Sequence, residues 1–532
     1  MLGIEKLLEK LLHRQNLPKD QRGEFDIDIK TKYVHGLLFY NSYFDEIVKA
    51  LGKDTICFIV GGWIRDRLLN KPIKDKVDID LLVTKNPLEV AKNVKKVLGK
   101  GDIFQFEKEK PVATLIFEEN NIRYRFDFSY LDIQDIMSNE KLDFYDKEKE
   151  IIKRLEEDLL TRDFTINAMA IVFDDAIGLG ASETVLFDPS GGLEDLQAGI
   201  VRPVSYENIQ KDPVRILRGF RIAQSLDFDI DKDFEKWTKK NKDLITSSPM
   251  ERVRDEILKI FDNDETKKTV EKLVKLGIFQ KIIPEIEDMI KIKNQGNLHK
   301  YNLLDHSLKT IEYMEEFLKK KEIIKHTVDR FFLEKIGKKK FLTEFTDYTL
   351  LKLTGFFHDI GKAYTKKENF LNHDKKGAEV FKQIGKKLSL GKDTTYFVSS
   401  LIRHHLDIFR LLVFYETKDL DKKQINFFWY ENKDIAGHLF ILSLADAYAT
   451  SENKAYLEKL REFIIYLQAY YFDVYKKEIV EEPLLTGKEI MEILNLKPSP
   501  KIGEIKNLLL KEQISGNIKT KEEAIAFIKA LY

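Results

Sequence analysis

Two carboxylates lie one residue apart in the apolar stretch VDIDLLV, residues 77–83. If this stretch is a strand, Asp78 and Asp80 point to the same face of a sheet and repel each other unless a cation lies between them. Divalent cations with oxygen ligands remove that repulsion, and a pair of Mg²⁺ ions supports attack on the α-phosphate of a nucleotide. The spacing therefore predicts a two-metal site.

A glycine pair precedes these carboxylates by the length of a helix. Gly61 and Gly62 stand between a predicted strand, TICFIV, and a predicted helix that leads to VDID. Glycines at such a junction let backbone N–H groups approach a phosphate, and the helix N-terminus adds its positive end. A third carboxylate often completes a site of this kind. Asp127, in the predicted strand around RFDFSY, is the candidate.

The tripeptide Asp-Ile-Asp also occurs at 26–28 and at 229–231. The copy at 26–28 has no glycine turn before it. The copy at 229–231 lies between helical stretches, where aspartate is common as a helix cap. Both copies are therefore interpreted as local structure and not as metal ligands.

A second group of metal-binding residue types lies in the C-terminal half, because eight of the ten histidines follow residue 298. Imidazole and carboxylate together suit Mn, Fe, Ni, Co, Zn or Mg ions. Five histidines and two aspartates on predicted helices form a candidate metal site. They are His306, His358, Asp359, His373, His404, His405 and Asp446.

The 532 residues are 43% hydrophobic and 33% charged, with a formal net charge of zero. Such a length predicts three or four domains. Because the net charge is zero, nucleic-acid binding has to come from local basic patches. The single cysteine, Cys57, is predicted to lie in a strand core and excludes an internal disulfide. No apolar run approaches the about 20 residues that span a bilayer, so we expect a cytoplasmic protein without a membrane partner.

Strand-like and helical stretches alternate in the first part of the chain, and helical periodicity dominates after FDPSGG, residues 187–192. This pattern predicts an α/β or α+β domain followed by helical domains. The predicted domains are a helical N-terminal extension (1–52), a head (53–187), a helical neck and body (188–295), a metal-binding helical domain (296–455) and a helical tail (456–532).

These ordered motifs resemble those of the class II tRNA nucleotidyltransferases (CCA-adding enzymes) and the related bacterial poly(A) polymerases, within the DNA polymerase β superfamily. The resemblance covers roughly residues 55–265. A further segment, about 296–450, resembles HD-domain metal phosphohydrolases. The resemblance implies an α+β fold, in which a polymerase-β-like nucleotidyltransferase head with a mixed sheet precedes an all-α neck and body and an all-α HD domain.

The first two family motifs resemble GGWIRD with VDID, and TRDFTINAMA at 161–170. The resemblance implies that Asp78 and Asp80 bind Mg²⁺ with help from Asp127. It also implies a set of nucleotide-binding residues: Gly61, Gly62, Arg65, Asp66, Arg162, Asp163 and Asn167. In the second motif, Thr161 stands where the family usually has the first of two arginines.

The next two motifs resemble DPSGGLEDLQAGIVR (188–202), which joins head and neck, and KDPVRILRGFRIA (211–223). In the family the last motif contains an Asp and an Arg that hydrogen-bond the base edge of the incoming nucleotide, which implies this role for Asp212 and Arg215. Lys211 replaces the family's glutamate. Asp212 before Pro213 is also expected to cap a helix.

Arg218 and Arg221 follow at helical spacing on the same predicted helix. Arginines can grip phosphates with two hydrogen bonds. The pair either lines a path for triphosphate or tRNA or forms ion pairs with surface acids.

The HD resemblance assigns His306, His358, Asp359 and Asp446 as core metal ligands. It assigns His373, His404 and His405 as the extra ligands of members with two metals. A water activated by the metal and attacking a phosphoester would be the mechanism.

The function implied by the resemblance is template-independent addition of C and/or A (CCA) to the 3′ end of tRNA, with CTP and ATP as substrates. Addition of A only, addition of CC only and poly(A) synthesis are alternatives, because these activities share all the motifs. Outside this class, the alternatives are an HD phosphohydrolase with a nucleotide-binding head and a non-catalytic RNA-binding protein. A stringent-response synthetase–hydrolase is disfavoured by the domain order and by Arg-Asp-Phe-Thr-Ile-Asn.

Overall fold

The computed structural model divides the chain into two compact units, Met1–Lys240 and Asn241–Tyr532. The copy of Asp-Ile-Asp at 26–28, which is predicted to be local structure, lies outside the residues that the structure describes. The described residues are 31–34, 39, 41–51, 55–73, 75–106, 111–173, 184–295, 300–342, 344–366 and 370–531.

Within the described residues of the first unit, eight strands form one mixed sheet in the order β1-β8-β7-β2-β3-β6-β5-β4. The strands are β1 (Thr31–Val34), β2 (Cys57–Val60), β3 (Lys76–Val83), β4 (Asp102–Phe106), β5 (Val112–Glu119), β6 (Ile122–Tyr130), β7 (Ala170–Val172) and β8 (Thr184–Phe187). β3 and β6 are parallel, whereas the neighbouring pairs β2–β3 and β5–β6 are antiparallel. The α+β fold with a mixed-sheet head is confirmed.

Helices surround this sheet and continue into the neck. They are α1 (Phe44–Leu51), α2 (Gly62–Leu68), α3 (Pro87–Leu98), α4 (Gln134–Ser138), α5 (Phe144–Leu160), α6 (Gly192–Ala198), α7 (Tyr206–Lys211), α8 (Arg215–Leu226) and α9 (Lys232–Lys240). A short 3-10 helix covers Thr165–Asn167, and a two-residue parallel pair joins β9 (Ile200–Val201) to β10 (Asp229–Ile230).

The helix α5 packs against the sheet through its apolar side. Leu155 and Leu159 are fully buried with Phe58, Leu82 and Phe187 in one cluster. Burying a leucine side chain contributes about 1.5–3 kcal/mol, so this cluster anchors the helix firmly. Because α5 ends at Leu160, the anchoring also determines where the TRDFTINAMA segment begins.

The lead-in is less helical than expected, because β1 within it pairs with β8 at the edge of the head sheet. The compact first unit also runs through α9, whereas the sequence pattern placed the head's end at residue 187 and joined α9 to the body. Strands β4 and β8 were not predicted. Each is short, and apolar patterning over four or five residues does not separate a strand from a loop.

The second unit is helical apart from a two-residue hairpin of β11 (Lys340–Phe341) and β12 (Phe345–Thr346) among its described residues. Its helices before the HD segment are α10 (Met250–Asp262), α11 (Thr266–Leu276), α12 (Ile278–Ile282) and α13 (Glu285–Lys291), after a 3-10 turn at Lys242–Ser247. The helices of the HD segment are α14 (Leu303–Lys320), α15 (Glu322–Lys325), α16 (Arg330–Leu333), α17 (Asp347–Phe357), α18 (His373–Lys387), α19 (Lys392–His404), α20 (Asp407–Thr417), α21 (Lys422–Asn432) and α22 (Ala436–Thr450), with a 3-10 turn at Ile360–Tyr364.

The C-terminal helices begin with α23 (Lys454–Tyr470), which runs through a π-helical turn, Tyr471–Tyr475, into α24 (Lys476–Glu478). The last three are α25 (Gly487–Leu494), α26 (Pro500–Ile514) and α27 (Lys521–Ala530). These three share a core of their own that includes Leu485, Leu509 and Ile528. Among the described residues, none of the helices combines the length and apolar character that crossing a bilayer requires.

Candidate functional site

The three predicted carboxylates of the head lie on two adjacent strands. Asp78 and Asp80 are on β3, and Asp127 is on the parallel strand β6, directly opposite Asp80. Residues paired in register and residues two apart on a strand share a face of the sheet. The structure thus brings all three carboxylates to one face, with Arg125 opposite Asp78.

Gly61 stands at the turn between β2 and α2 with a φ of 80°, in the left-handed region that favours glycine. A Cβ atom at this position would lie 2.8 Å from Asp80 Oδ2 and 3.4 Å from Arg162 Nη1. No side chain fits there, so the backbone of the turn approaches the Asp80 carboxylate closely. The second glycine, Gly62, begins α2, and its nearest neighbour is the Arg65 guanidinium.

Two further side chains hold Asp127. Thr114 on β5 donates its hydroxyl to Asp127 Oδ1 at 2.5 Å, and Arg125 Nε lies 3.1 Å from Oδ1 and 3.0 Å from Oδ2. Neither residue was singled out from the sequence. The alternation in IRYRFDFSY, which places Arg123, Arg125 and Asp127 on one strand face, was the signal available.

Burial acts on the two carboxylates of β3. It raises the pKa of Asp80 to about 6, although the nearby Arg162 guanidinium opposes the change. Burial also raises the pKa of Asp78, against the charge of Arg125. Clustered carboxylates that resist ionisation in a partly buried place are a hard-oxygen donor set, which fits a divalent cation such as Mg²⁺ or Mn²⁺. In the described part of the head, no three carboxylate oxygens from different residues lie within 4.8 Å of one another. The three carboxylates are therefore neighbours, but they do not form a closed set of ligands.

A hydrogen-bonded chain connects the predicted nucleotide-binding residues. Arg65 Nη1 donates to Asn167 Oδ1 at 2.7 Å, and Asn167 Nδ2 donates to Asp163 Oδ1 at 3.2 Å. Arg218 Nε on α8 lies 3.0 Å from Asp163 Oδ2. Although burial raises the pKa of Asp163, the Arg218 charge and the hydrogen bonds from Asn167 and the Phe164 amide lower it below its ordinary value.

The two cations beside this chain have carboxylate partners of their own. Arg65 Nε donates to Asp66 Oδ1 at 2.9 Å, and Arg162 Nη2 donates to Asp158 Oδ2 at 3.2 Å. Arg162 therefore lies between the Asp158 carboxylate and the turn at Gly61, where it faces Asp80.

The prediction that Asp212 is the N-cap of the following helix is wrong. Asp212 follows the last residue of α7, and α8 begins only at Arg215, with Val214 as its N-cap and no side-chain capping bond. The residues between the two helices form a tight turn in which the Arg215 amide donates to the Asp212 carbonyl. Asp212 therefore lies outside the helix that carries Arg215.

The Asp212 and Arg215 side chains are nevertheless neighbours, with Arg215 Nε 3.6 Å from Asp212 Oδ2. Arg215 Nη1 also donates to the carbonyl of Thr161 at 3.1 Å, which ties α8 to the TRDFTINAMA segment. Lys211 turns to Glu207, at 2.8 Å, and Arg221 lies one turn beyond Arg218 on α8.

The aspartates at 229–231 are local structure, as expected. Asp231 Oδ1 accepts a hydrogen bond from the Phe234 amide at 3.0 Å, at the beginning of α9, and Asp231 Oδ2 pairs with Arg202. The first bond satisfies one exposed amide of the helix N-terminus, and Asp229 is a solvent-exposed strand residue.

In the second unit, six of the seven predicted HD residues form two adjoining groups. The first group is His306, His358 and Asp446, and the second is Asp359, His373 and His405. Each group offers three donor atoms within 4.8 Å of one another, and all six residues are buried.

Asp359 lies between the two groups. Its Oδ2 atom is 3.5 Å from His306 Nε2 and 3.4 Å from His358 Nε2, whereas its Oδ1 atom is 3.0 Å from His373 Nε2 and 3.5 Å from His405 Nε2. Asp446 Oδ1 completes the first group at 3.1 Å from His306 Nε2. Each oxygen of Asp359 therefore faces a different group of donor atoms.

The histidine rings are oriented by backbone carbonyls. The Nδ1 atoms of His358, His373 and His405 lie 2.8, 2.8 and 2.6 Å from the carbonyls three residues earlier. With Nδ1–H donated in this way, Nε2 is left as the lone-pair atom that faces the group. The Nε2 atoms of His373 and His405 are buried without a hydrogen bond, which fits a metal ion as their missing partner.

The charges of the cluster are strongly coupled. Burial lowers the pKa of His358, but Asp359 and Asp446 overcome this and raise it to about 10. Although burial raises the pKa of Asp359, Lys362 and His358 lower it well below its ordinary value. The six buried carboxylate and imidazole side chains of the cluster are thus stabilised by positive charge, which a proton or a cation can supply.

Lys362, which was not predicted, lies at this site. Its Nζ atom is 2.6 Å from Asp359 Oδ2 and donates to Gln295 Oε1 at 3.0 Å, and its side chain is almost fully buried. The spacing of three residues from Asp359, one helical turn, could have indicated the contact.

The structure does not bring His404 into either group. Its Nδ1 atom lies 2.7 Å from Asp407 Oδ2, in a separate and more exposed group with Glu431. His404 and His405 are adjacent near the end of α19, so their side chains diverge by about 100°. Only one of two neighbouring helical residues can face a given centre.

Three family models match the chain. They describe the poly A polymerase head domain over residues 57–202, the probable RNA- and SrmB-binding site of polymerase A over 227–290, and the HD domain over 303–451. Residues 57–202 and 303–451 therefore match two domain types that depend on metal ions.

Similar proteins include the CC-adding tRNA nucleotidyltransferase of Thermus thermophilus, which is 26% identical over 486 residues, 88% of this chain and 92% of that protein. The A-adding tRNA nucleotidyltransferase of Deinococcus radiodurans is 25% identical over 388 residues, 70% of this chain and 79% of that protein. A solved structure of a CCA-adding enzyme with ATP has 20% identity and a TM-score of 0.56, and covers 94% of this chain and 99% of that one, which shows a shared fold.

The neighbouring histidines give a matched test of the metal cluster. His405→Ala removes an Nε2 donor and should weaken metal binding by more than about tenfold, since even residues that only orient a metal ligand are worth 10–100-fold. His404→Ala, one residue away, should leave metal content unchanged. Metal content after equilibration with Mn²⁺ and gel filtration, measured by mass spectrometry, checks this. Equal loss in both variants would contradict the assignment.

Proposed function

We propose that the chain is a template-independent tRNA nucleotidyltransferase, because residues 57–202 match the poly A polymerase head domain and residues 303–451 match the HD domain. The substrates would be CTP and/or ATP and the 3′ end of tRNA. The observation that carries the proposal is the register of β3 with β6, which supports a shared role for Asp78, Asp80 and Asp127 beside the turn at Gly61.

In this proposal, the 3′-oxygen of the tRNA attacks the α-phosphorus of the nucleotide, and pyrophosphate leaves. Asp78, Asp80 and Asp127 would hold Mg²⁺, which would lower the pKa of the 3′-hydroxyl and neutralise charge on the phosphates. The protein supplies positioning, because the parallel strands hold the carboxylates in one fixed plane. Thr114 orients the Asp127 carboxylate through its hydrogen bond to Oδ1.

The hydrogen-bonded series of side chains that runs from Arg65 through Asn167 and Asp163 to Arg218 would bind the nucleotide's sugar and phosphates. Because Asp163 and Asn167 are buried and hydrogen-bonded, this surface is preorganised before the nucleotide arrives. Gly62, Asp66, Arg162 and Arg221 would border the same site. Asp212 and Arg215 would read the base edge with opposed acceptor and donor groups, as side chains read bases in nucleic acids.

The similar proteins include both CC-adding and A-adding enzymes. The chain would therefore add CCA in one enzyme, or only CC or only A in a divided system, with poly(A) synthesis as a further alternative. A purely RNA-binding role is disfavoured, because clustered carboxylates repel the phosphates of RNA unless a cation lies between them.

The sequence provides a matched pair of aspartates for testing the head site. Asp78→Ala removes a carboxylate from the metal face and should lower nucleotide incorporation into tRNA by on the order of 10³-fold, as for loss of a group that stabilises the transition state. Asp229→Ala, in the exposed copy of the same tripeptide, should leave incorporation unchanged. Incorporation of labelled CTP and ATP measures both. Intact incorporation by Asp78→Ala would contradict the metal assignment.

The HD domain supports a second proposed activity, hydrolysis of a phosphoester by a binuclear metal centre. The bridging position of Asp359 between two groups of donors carries this proposal. His306, His358, Asp359, His373, His405 and Asp446 would hold two divalent ions of the Mn, Fe, Ni, Co, Zn or Mg class, which would activate water. The buried Lys362 balances the charge of Asp359 on the side away from His373.

Asp359→Ala should abolish the opening of a 2′,3′-cyclic phosphate, because it removes a ligand of both groups at once. Nucleotide incorporation by the same variant should be retained, which shows that the protein is folded, since the head carries its own donor set. Phosphate release and cyclic-phosphate opening, followed alongside incorporation, check this. Undiminished hydrolysis in Asp359→Ala would rule out the HD cluster as the hydrolytic site.

A further inference from the structure

Arg125 forms an ion pair with Asp127, one of the three carboxylates of the proposed metal face. Its Nε atom lies 3.1 Å from Asp127 Oδ1 and 3.0 Å from Oδ2, so one nitrogen faces both oxygens of the carboxylate. The Arg125 side chain keeps 41% of its surface exposed, and Asp127 keeps 24%. The ion pair is therefore on an accessible part of the site and not in the core.

Asp127 has no oxygen that is clear of these contacts. Oδ1 accepts hydrogen bonds from Thr114 and Arg125, and Oδ2 faces Arg125 as well. Thr114 is 1% exposed and belongs to the central part of β5, so its contact is rigid. Arg125 has a long side chain that reaches solvent, so it can rotate away from Asp127 without disturbing the core.

The register of the sheet places Arg125 close to all three carboxylates. It lies opposite Asp78 on β3 and two residues before Asp127, on the same face. Its charge is the largest of the charges that lower the pKa of Asp78. Arg123 and Lys76 form the next pair along the same face, one step further from Asp127.

We propose that Arg125 is a built-in counter-ion that competes with a divalent cation for Asp127 and thereby sets the metal affinity of the head site. A cation that takes Asp127 as a ligand has to displace the guanidinium from at least one oxygen. The Arg125–Asp127 ion pair favours the state without bound metal and keeps the carboxylates in register there. Arg125 is thus a positioning residue whose release accompanies metal binding; this inference rests on the proposed head site.

When a divalent cation replaces the Arg125 guanidinium at Asp127, the charge around this carboxylate changes. Two positive charges replace one at Asp127, while Arg125 becomes available to the solvent side of the same face. The triphosphate of an incoming nucleotide brings negative charge to that side, so it favours the released arginine. Metal and nucleotide are therefore expected to bind cooperatively, each stabilising the arrangement that the other needs.

Arg125→Gln removes the competing charge and leaves a shorter, uncharged polar side chain. It should bind Mn²⁺ at the head about fivefold more tightly than the wild type, the upper range for a partly exposed ion pair. Arg123→Gln removes one charge from the same face without contacting Asp127, and should change the affinity by less than about twofold. Arg125→Lys keeps the charge but not the guanidinium geometry, and should fall between the two.

The measurement is a Mn²⁺ titration of the full chain followed by electron paramagnetic resonance. The double variant Asp78→Asn with Asp80→Asn reports binding outside the head, and its isotherm is subtracted. Tighter binding by Arg125→Gln with little change in Arg123→Gln supports the proposal. Unchanged or weaker binding by Arg125→Gln overturns it. An equal gain in Arg123→Gln overturns it as well, because the affinity would then depend on the total charge of the face and not on the contact with Asp127.

The same titration distinguishes this proposal from the proposed function. If the wild type and the Asp78/Asp80 double variant bind Mn²⁺ identically, the head holds no metal and both proposals fail. If the double variant loses binding and incorporation while Arg125→Gln matches the wild type, the nucleotidyltransferase assignment stands and only the role of Arg125 is overturned.

Discussion

Electrostatic repulsion between carboxylates on one face of the head sheet governs the arrangement around them. Asp80 and Asp127 face each other across parallel strands, and Asp78 lies two residues away on the same face. Three negative charges at this spacing are unfavourable, and burial adds to the cost by raising the pKa of Asp80 and of Asp78. The neighbouring cations, Arg125 and Arg162, and the close backbone turn at Gly61 are responses to that constraint.

The same physical problem has a different solution in the HD domain. There the acidic charges are mixed with imidazoles whose rings are fixed by backbone carbonyls, and the donor atoms are close enough to form two complete groups around Asp359. A buried, closed set of nitrogen and oxygen ligands favours tight and selective metal binding. The open oxygen set of the head suits a weakly held cation that arrives with a nucleotide. The two centres therefore differ in the type of donor atom and in how completely the donors would surround a metal ion. They would serve opposite reactions, nucleotide addition in the head and phosphoester hydrolysis in the HD domain.

Periodicity and spacing were enough to predict much of this. Asp78, Asp80 and Asp127 each have apolar neighbours in a strand, so the face on which each lies follows from the strand period. The apolar pattern identifies the helices that hold the histidines, although His358 and His405 follow directly after the last residue of α17 and α19. The errors have local causes. The strand β1 is too short to differ from its surroundings, and the turn at Asp212–Val214 moves the start of α8 to Arg215, beyond the N-cap position expected for Asp212. His404 was grouped with His405 because sequence adjacency does not show which of the two faces inward. Arg125 and Lys362 were missed because their roles depend on ion pairs with Asp127 and Asp359, which only the structure shows.

The most direct test of the account is the length of the products made from defined tRNA ends. tRNA ending before the first C, after one C and after CC is incubated with CTP, with ATP and with both, and the products are sized. The account predicts extension that depends on Asp78 and stops after the missing C and A residues, or after only CC or only A. No extension of any end with either nucleotide, or full extension by Asp78→Ala, would contradict it, whereas an unbounded ladder of A residues would identify the poly(A) alternative.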